Sequence, residues 1–181
     1  MKRLLLWRHA KTERDNPKGD KARALTDRGR EDAALIAGLM RGNGWLPDRV
    51  LCSSSVRTRQ TWEIAEAILG SAPAREYLDA LYLAPWKQIL SLVKSAPASA
   101  RTLLAAGHNP GLEDLAAALA RVPETPEERS HLANLREKFP TAAIAVLDFD
   151  IGDWNALAPA TGTLTAFVAP RFLKELRGHY T

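Results

Sequence analysis

The chain opens on an apolar run at residues 3–7, where Leu4, Leu5, Leu6 and Trp7 stand together. A short continuous run without polar alternation is the pattern of a strand buried on both faces. A polar stretch at 11–23 follows, with Asn16-Pro17-Lys18-Gly19 as turn chemistry. The period then changes. Ala33, Ile36, Leu39 and Met40 recur three and four apart behind Thr26, a suitable N-cap, and the pattern stops at Gly42-Asn43-Gly44. The same alternation continues, with predicted strands at 49–52, 74–78 and 102–106 and predicted helices at 56–69, 86–94 and 111–121.

The segment 122–140 breaks this rhythm. Thr125-Pro126-Glu127-Glu128 reads as a capping box with Pro at the first helical position, and a polar helix to about Phe139 is expected. Two last strands are predicted at 143–149 and 164–168, joined by a hairpin-like turn around Gly152-Asp153. Strands alternating with helices define an α/β protein, here a three-layer α/β/α sandwich around a mostly parallel sheet. The 181 residues fit one domain, 1–181.

Composition narrows the class. Hydrophobic residues make up 46% and charged residues 25%, enough for a core and too apolar for a disordered chain. One cysteine excludes a disulfide framework and a Cys-rich zinc module. The apolar start is broken by Arg8, too early for a signal peptide, and no later run spans a membrane, so a soluble cytoplasmic protein is expected. The net charge of +4 is uneven. Residues 1–30 hold ten Lys/Arg against four Asp/Glu, and the rest of the chain fifteen against seventeen. A basic N-terminal region points to an anionic partner, either a nucleic acid or a phosphorylated substrate; a solvated face is the plainer reading.

In α/β sheets ligands bind beyond the carboxyl ends of the strands. After the first strand come Arg8 and His9. After the second come Ser53-Ser54-Ser55 and Arg57, and after the 102–106 strand comes Gly107-His108-Asn109-Pro110-Gly111. Taken singly, a histidine is most often structural, an arginine a surface ion pair, and a serine turn a helix cap. Together they place two arginines, two histidines and helix N-termini at one sheet edge, a set suited to a phosphoryl anion.

Other chemistry is not supported. His131 and His179 have no partner at metal-ligand spacing and are expected in solvent, so no metal site is predicted. Neither a G-x-x-x-x-G-K-[ST] loop nor a G-x-G-x-x-G turn is present, so no nucleotide cofactor is expected. Cys52 reads as a small buried hydrophobe, without the C-x-x-x-x-x-R loop of cysteine phosphatases. Trp7, Trp45, Trp62, Trp86 and Trp154 are dispersed, as for core packing. With no helix-turn-helix or zinc finger either, a nucleic-acid partner is not expected.

These residues together resemble the histidine phosphatase, or phosphoglycerate-mutase-like, superfamily, and within it the small SixA-type phosphohistidine phosphatases. Arg8-His9-Ala10 stands for the Arg-His-Gly hallmark, and Leu25-Thr26-x-x-Gly29 for the start of the first helix. Ser53 to Thr61 follows the S-P-x-x-R-x-x-Q-T pattern with Ser54 in place of Pro, and Gly107-His108-Asn109-Pro110 carries the second histidine. Leu81-Tyr82-x-Ala84, the stretch from Phe139 to Ala143, and Pro170-Arg171-x-Leu173 are also SixA-like.

The resemblance implies a phosphoglycerate-mutase-like fold and a catalytic set of His9, Arg8, Arg57 and His108. His9 would be the nucleophile; an ordinary imidazole pKa near 6.5 leaves much of it neutral. Arg8, Arg57 and His108 would hold the phosphoryl oxygens, with no metal or organic cofactor required. Larger members carry a proton donor, usually a Glu, after the third strand. This chain is too short there; Glu76, Asp79 and Glu13 are the nearest carboxylates in sequence, and strand-end charge is the simpler role for the first two.

A site without a donor suits phosphohistidine, whose imidazole leaves neutral, better than an ester, whose alkoxide must be protonated. The expected partner is therefore a phosphohistidine protein, steered by the basic loop through Lys18, Lys21 and Arg23. The alternatives are a small-molecule phosphomonoesterase or mutase, and a phosphohistidine-binding module without turnover, which the change at Ala10 keeps open.

Overall fold

The computed structural model describes residues 1–178. Six strands and six helices follow in the order β1 (Lys2–Arg8), α1 (Asp27–Gly42), β2 (Arg49–Ser53), α2 (Val56–Leu69), β3 (Ala74–Leu78), α3 (Trp86–Lys94), β4 (Thr102–Gly107), α4 (Gly111–Leu119), α5 (Pro126–Glu137), β5 (Ile144–Phe149), β6 (Thr163–Val168) and α6 (Pro170–Gly178). The sheet order is β3-β2-β4-β1-β5-β6. The first four are mutually parallel, while β5 runs antiparallel to β1 and β6 antiparallel to β5.

Alternation along the strands splits the core in two. Leu4, Leu6, Leu103 and Ala105 face the helices α3, α4 and α5, whereas Leu5, Trp7, Leu104 and Ala106 face α1 and α2. That is the expected three-layer α/β/α arrangement. Trp7, Trp62 and Trp154 are fully buried, as core packing requires, while Trp45 and Trp86 are half-buried against the two core faces. Among the described residues no helix is long and apolar enough to cross a membrane.

Local chemistry explains the helix starts. The Thr26 hydroxyl accepts the Gly29 amide at 3.1 Å and caps α1. Gly29 must be glycine, because a Cβ there would stand 2.1 Å from the Lys11 carbonyl oxygen. Thr125 caps α5 by accepting from the Glu128 amide at 3.1 Å, but the Glu128 carboxylate takes the Glu124 amide rather than that of Thr125. The capping box is therefore shifted by one residue on its return arm.

Three sequence expectations change. Residues 150–162 join β5 to β6 as a long connection with a single 3-10 turn at Trp154–Ala156, capped by Asp153, not as a tight hairpin. The buried Trp154 draws this loop inward, its indole donating to the Ala100 carbonyl at 2.8 Å. α6 was not predicted; Lys174 on it reaches the buried Asp32 of α1 at 2.6 Å. His131 on α5 is half-buried, and burial lowers its pKa, so it is not a solvent-exposed histidine. His179 lies outside the described residues.

Candidate active site

The strand register builds the site. Arg8 of β1 lies opposite Gly107 of β4, so the next residues, His9 and His108, emerge side by side. Their ring centroids are 5.2 Å apart. The His9 amide donates to the Gly107 carbonyl at 3.1 Å, fixing the two strand ends together. One strand further, the hydroxyl of Ser53 sits 2.7 Å from His108 Nε2. Gly111 lets α4 start close to this turn, since a Cβ would meet the Ala84 carbonyl at 2.0 Å. Arg57, in the first turn of α2, points back to the same place, its Nη2 lying 3.5 Å from His108 Nδ1. All four predicted residues therefore line one pocket of about 400 Å³.

His9 is held in one tautomer. Its Nδ1 lies 2.8 Å from the Ala10 carbonyl oxygen, which can only accept, so Nδ1 carries the proton and Nε2 keeps a free lone pair. Burial, reinforced by His108, Arg57 and Arg8, lowers the His9 pKa to about 3. His108 is also lowered to about 3, by burial and by Arg57 and Arg8. Both imidazoles are thus neutral throughout the physiological range. Ala10 itself is fully buried and does not adopt a positive φ, so the hallmark glycine is not needed for backbone shape here. Its amide donates to Thr61 Oγ1 at 3.0 Å, and Thr61 in turn donates to the Arg57 carbonyl, tying the His9-Ala10 turn to α2.

The pocket is cationic. Arg8, Lys11, Arg14, Arg23 and Arg57 line it against one carboxylate, Asp20. Arg8 donates to the Phe139 carbonyl at 2.8 Å through Nη1, while its Nε is buried without a partner. Arg57 is 3% exposed and gives two donors to Asp20: Nη1 to the carbonyl at 2.7 Å and Nη2 to the carboxylate at 3.0 Å. The same carboxylate accepts from Tyr82 at 2.6 Å and from Arg23 at 2.8 Å. Hydrogen bonds from Tyr82, Arg23 and Arg57 hold it far below the usual carboxylate range. Tyr82 also packs edge-on to the His108 ring at 5.5 Å.

Asp20 and Tyr82 were absent from the predicted site. The weak donor candidates fall elsewhere. Glu13 braces its own loop, accepting from the Asn16 side chain and the Ala24 amide, each at 2.9 Å. Glu76 pairs with Arg49, and Asp79 with Lys21 at 2.5 Å and with Ser54. None of the three lines the pocket. Of the cations expected to steer a partner, Lys21 is taken up by Asp79 and Arg23 by Asp20, and Lys18 is exposed away from the pocket lining. Cys52 is buried, and burial pushes its thiol well up, leaving it inert. Among the described residues no group of three or more His, Cys, Asp or Glu is placed to hold a metal ion.

Parallel strands that bring two neutral histidines and two arginines to one carboxyl edge form a site suited to phosphoryl groups. The chain belongs to the histidine phosphatase superfamily, whose branch 1 profile matches residues 4–147. An uncharacterized protein of Mycobacterium tuberculosis strain H37Rv is 36% identical over 164 residues, covering 91% of this chain and 99% of the relative. A structure from Agrobacterium tumefaciens assigned as the phosphohistidine phosphatase SixA is 31% identical with a TM-score of 0.75, over 93% of this chain and 98% of that one. One from Nakamurella multipartitia, with the same assignment, is 31% identical with a TM-score of 0.78, over 93% and 96%. The protein is a phosphatase of this superfamily, with a phosphoglycerate-mutase-like fold.

Proposed function

We propose that the protein removes phosphate from phosphohistidine on a protein, through a phosphorylated His9 and without a metal. His9 Nε2 attacks phosphorus, the phosphorus–nitrogen bond of the substrate breaks, and the leaving imidazole takes the electron pair. With its other nitrogen already protonated, that imidazole departs neutral. The attacking ring keeps its Nδ1 proton, donated to the Ala10 carbonyl, so phospho-His9 is an imidazolium stabilised by that bond. Water then attacks phosphorus, His9 leaves as the neutral tautomer it began as, and the water proton goes out with phosphate or to solvent. Arg8, Arg57 and His108 hold the phosphoryl oxygens and the charge that develops on them.

The observation that carries this reading is the state of Asp20. Among the described residues it is the one carboxylate lining the pocket, and three donors keep it ionised. A group held as the anion does not protonate an alkoxide, so phosphate esters lack the acid they need. Phosphohistidine does not require one.

The test is phosphate release, with chelator present, from a phosphohistidine peptide beside a sugar phosphate, for the wild type and His9→Ala. The expected result is rapid release from phosphohistidine alone, lost in the variant. Faster turnover of the sugar phosphate would show that an acid does reach the leaving group and would favour a metabolite phosphatase. Dependence on the unchelated metal would contradict the metal-free step.

A further inference from the structure

A second cleft, of about 270 Å³, adjoins the catalytic pocket, and Lys11 and Thr141 line both. The topology brings its walls together. Because β5 is antiparallel to β1, the residue Thr141 before β5 lies at the carboxyl edge of the parallel strands. Because β6 reverses again, Pro170 and Arg171 after it reach that edge too. Besides Lys11, the cleft carries Arg28, Lys138 and Arg171, all exposed. Among the described residues its one lining carboxylate, Asp32, is buried and already engaged by Lys174 at 2.6 Å, with Arg28 at 3.8 Å. Arg171 stands 3.8 Å from the exposed Glu137, while Lys11 and Lys138 form no ion pair among the described residues. Among the described residues the cleft therefore carries a surplus of positive charge beside His9, with Lys11 and Lys138 unpaired.

The other end of the same edge is apolar. Leu83, in the connection after β3, lines the catalytic pocket, is 55% exposed, and has a φ of 51°. A bulky residue in that left-handed conformation is strained, and burial of its side chain does not offset the strain. An exposed leucine at the rim offers nothing to a small phosphorylated metabolite. It does suit a polypeptide laid across the edge.

We infer that the cleft of Lys11, Arg28, Lys138 and Arg171 binds acidic side chains of the substrate protein next to its phosphohistidine, with Leu83 meeting that segment on the far side of the pocket. This deepens the function proposed above and rests on it for the phosphoryl group. Opposite charges at the rim of an interface act mainly through the encounter rate and its salt dependence.

The experiment uses two phosphohistidine peptides, one with flanking Asp and Glu and one with the matching Asn and Gln, and phosphoramidate as a minimal substrate with a phosphorus–nitrogen bond. The variant is Lys138→Glu/Arg171→Glu, two residues that do not line the catalytic pocket. For the wild type at low salt, kcat/KM should favour the acidic peptide by about tenfold, a preference lost in the variant and in high salt. Phosphoramidate turnover should be unchanged, which also shows that the variant is folded. Equal turnover of the two peptides by the wild type, or a variant that slows phosphoramidate and peptide alike, would overturn the inference. If neither phosphohistidine nor phosphoramidate is hydrolysed, the proposed function fails. The cleft is then judged by fluorescence anisotropy with the unphosphorylated acidic peptide. Binding lost in the variant supports the inference, and equal binding by both proteins overturns it.

Discussion

The Asp20 carboxylate accepts from Arg57 Nη2 at 3.0 Å while the Asp20 carbonyl accepts from Nη1 at 2.7 Å, so one residue of the first loop fixes the guanidinium at the site's centre. Arg57 belongs to α2 and Asp20 to a 3-10 turn at Asp20–Ala22, and the pair locks that loop across the pocket. With the carboxylate gone and only the main-chain contact left, the buried guanidinium is held at one point, and small misplacements of a phosphoryl ligand are costly. Asp20→Ala should lower kcat by roughly 10–100-fold. Asp20→Asn, which also keeps a side-chain acceptor oxygen, should recover most of it. Steady-state kinetics on both variants checks this. Equal losses in the two would show that charge, not placement, is the contribution of Asp20.

Arg57→Lys should fail despite keeping the charge. An ammonium cannot reach Asp20 twice and the phosphoryl oxygens as well. The expected loss in kcat/KM is on the order of 10²–10³, comparable to removing an oxyanion donor. A near-wild-type Arg57→Lys enzyme would contradict a forked contact.

Ala10→Gly should leave kcat/KM unchanged within about twofold and lower stability by about 1 kcal/mol, through the lost buried methyl and the added chain freedom. Urea melts and kinetics on the same preparation decide it. A large gain in activity would mean that the Ala10 methyl obstructs the phosphoryl group.

His9 and His108 should stay neutral well below pH 5, since both pKa values lie at about 3. In the unfolded chain the same groups titrate near 6.5. Between these values the unfolded state binds more protons, so stability falls as pH drops from about 6.5 toward 3, by at most about 1.4 kcal/mol per pH unit for each histidine. His108→Asn should flatten that slope. Denaturant melts at pH 7 and pH 5, with ring-proton shifts read alongside by NMR, measure both quantities. A histidine that titrates near pH 6.5 in the folded protein would refute the buried-neutral account.

Arg8, His9, Arg57 and His108 were legible because each directly follows a strand or opens a helix that the hydrophobic pattern locates. Strand ends in a parallel sheet converge on one edge whatever the loops do. Asp20 was not legible. Its partners Arg57 and Tyr82 lie 37 and 62 residues away, and it directly follows the turn chemistry of Asn16-Pro17-Lys18-Gly19. The available hint was an acid three residues before Arg23 in a loop of mixed charge, a pairing that the structure forms at 2.8 Å. The long β5–β6 connection was misread because Gly152-Asp153 gives a turn signal, while the burial of Trp154 that shapes the loop is a tertiary effect. The wall of the second cleft depended on β5 running antiparallel to β1, which the hydrophobic pattern does not encode; the hairpin-like join implied only that β5 and β6 oppose each other.

The central claim is that His9 Nε2 takes the phosphoryl group. Rapid acid-free quenching during turnover of phosphoramidate, followed by intact-protein and fragment mass spectrometry, tests it most directly. The account predicts one added phosphoryl group per chain, located on His9, stable to alkali, lost in acid, and missing in His9→Ala. Full turnover by a wild-type enzyme that never carries phosphate, or phosphate found on a serine of Ser53-Ser54-Ser55, would contradict it.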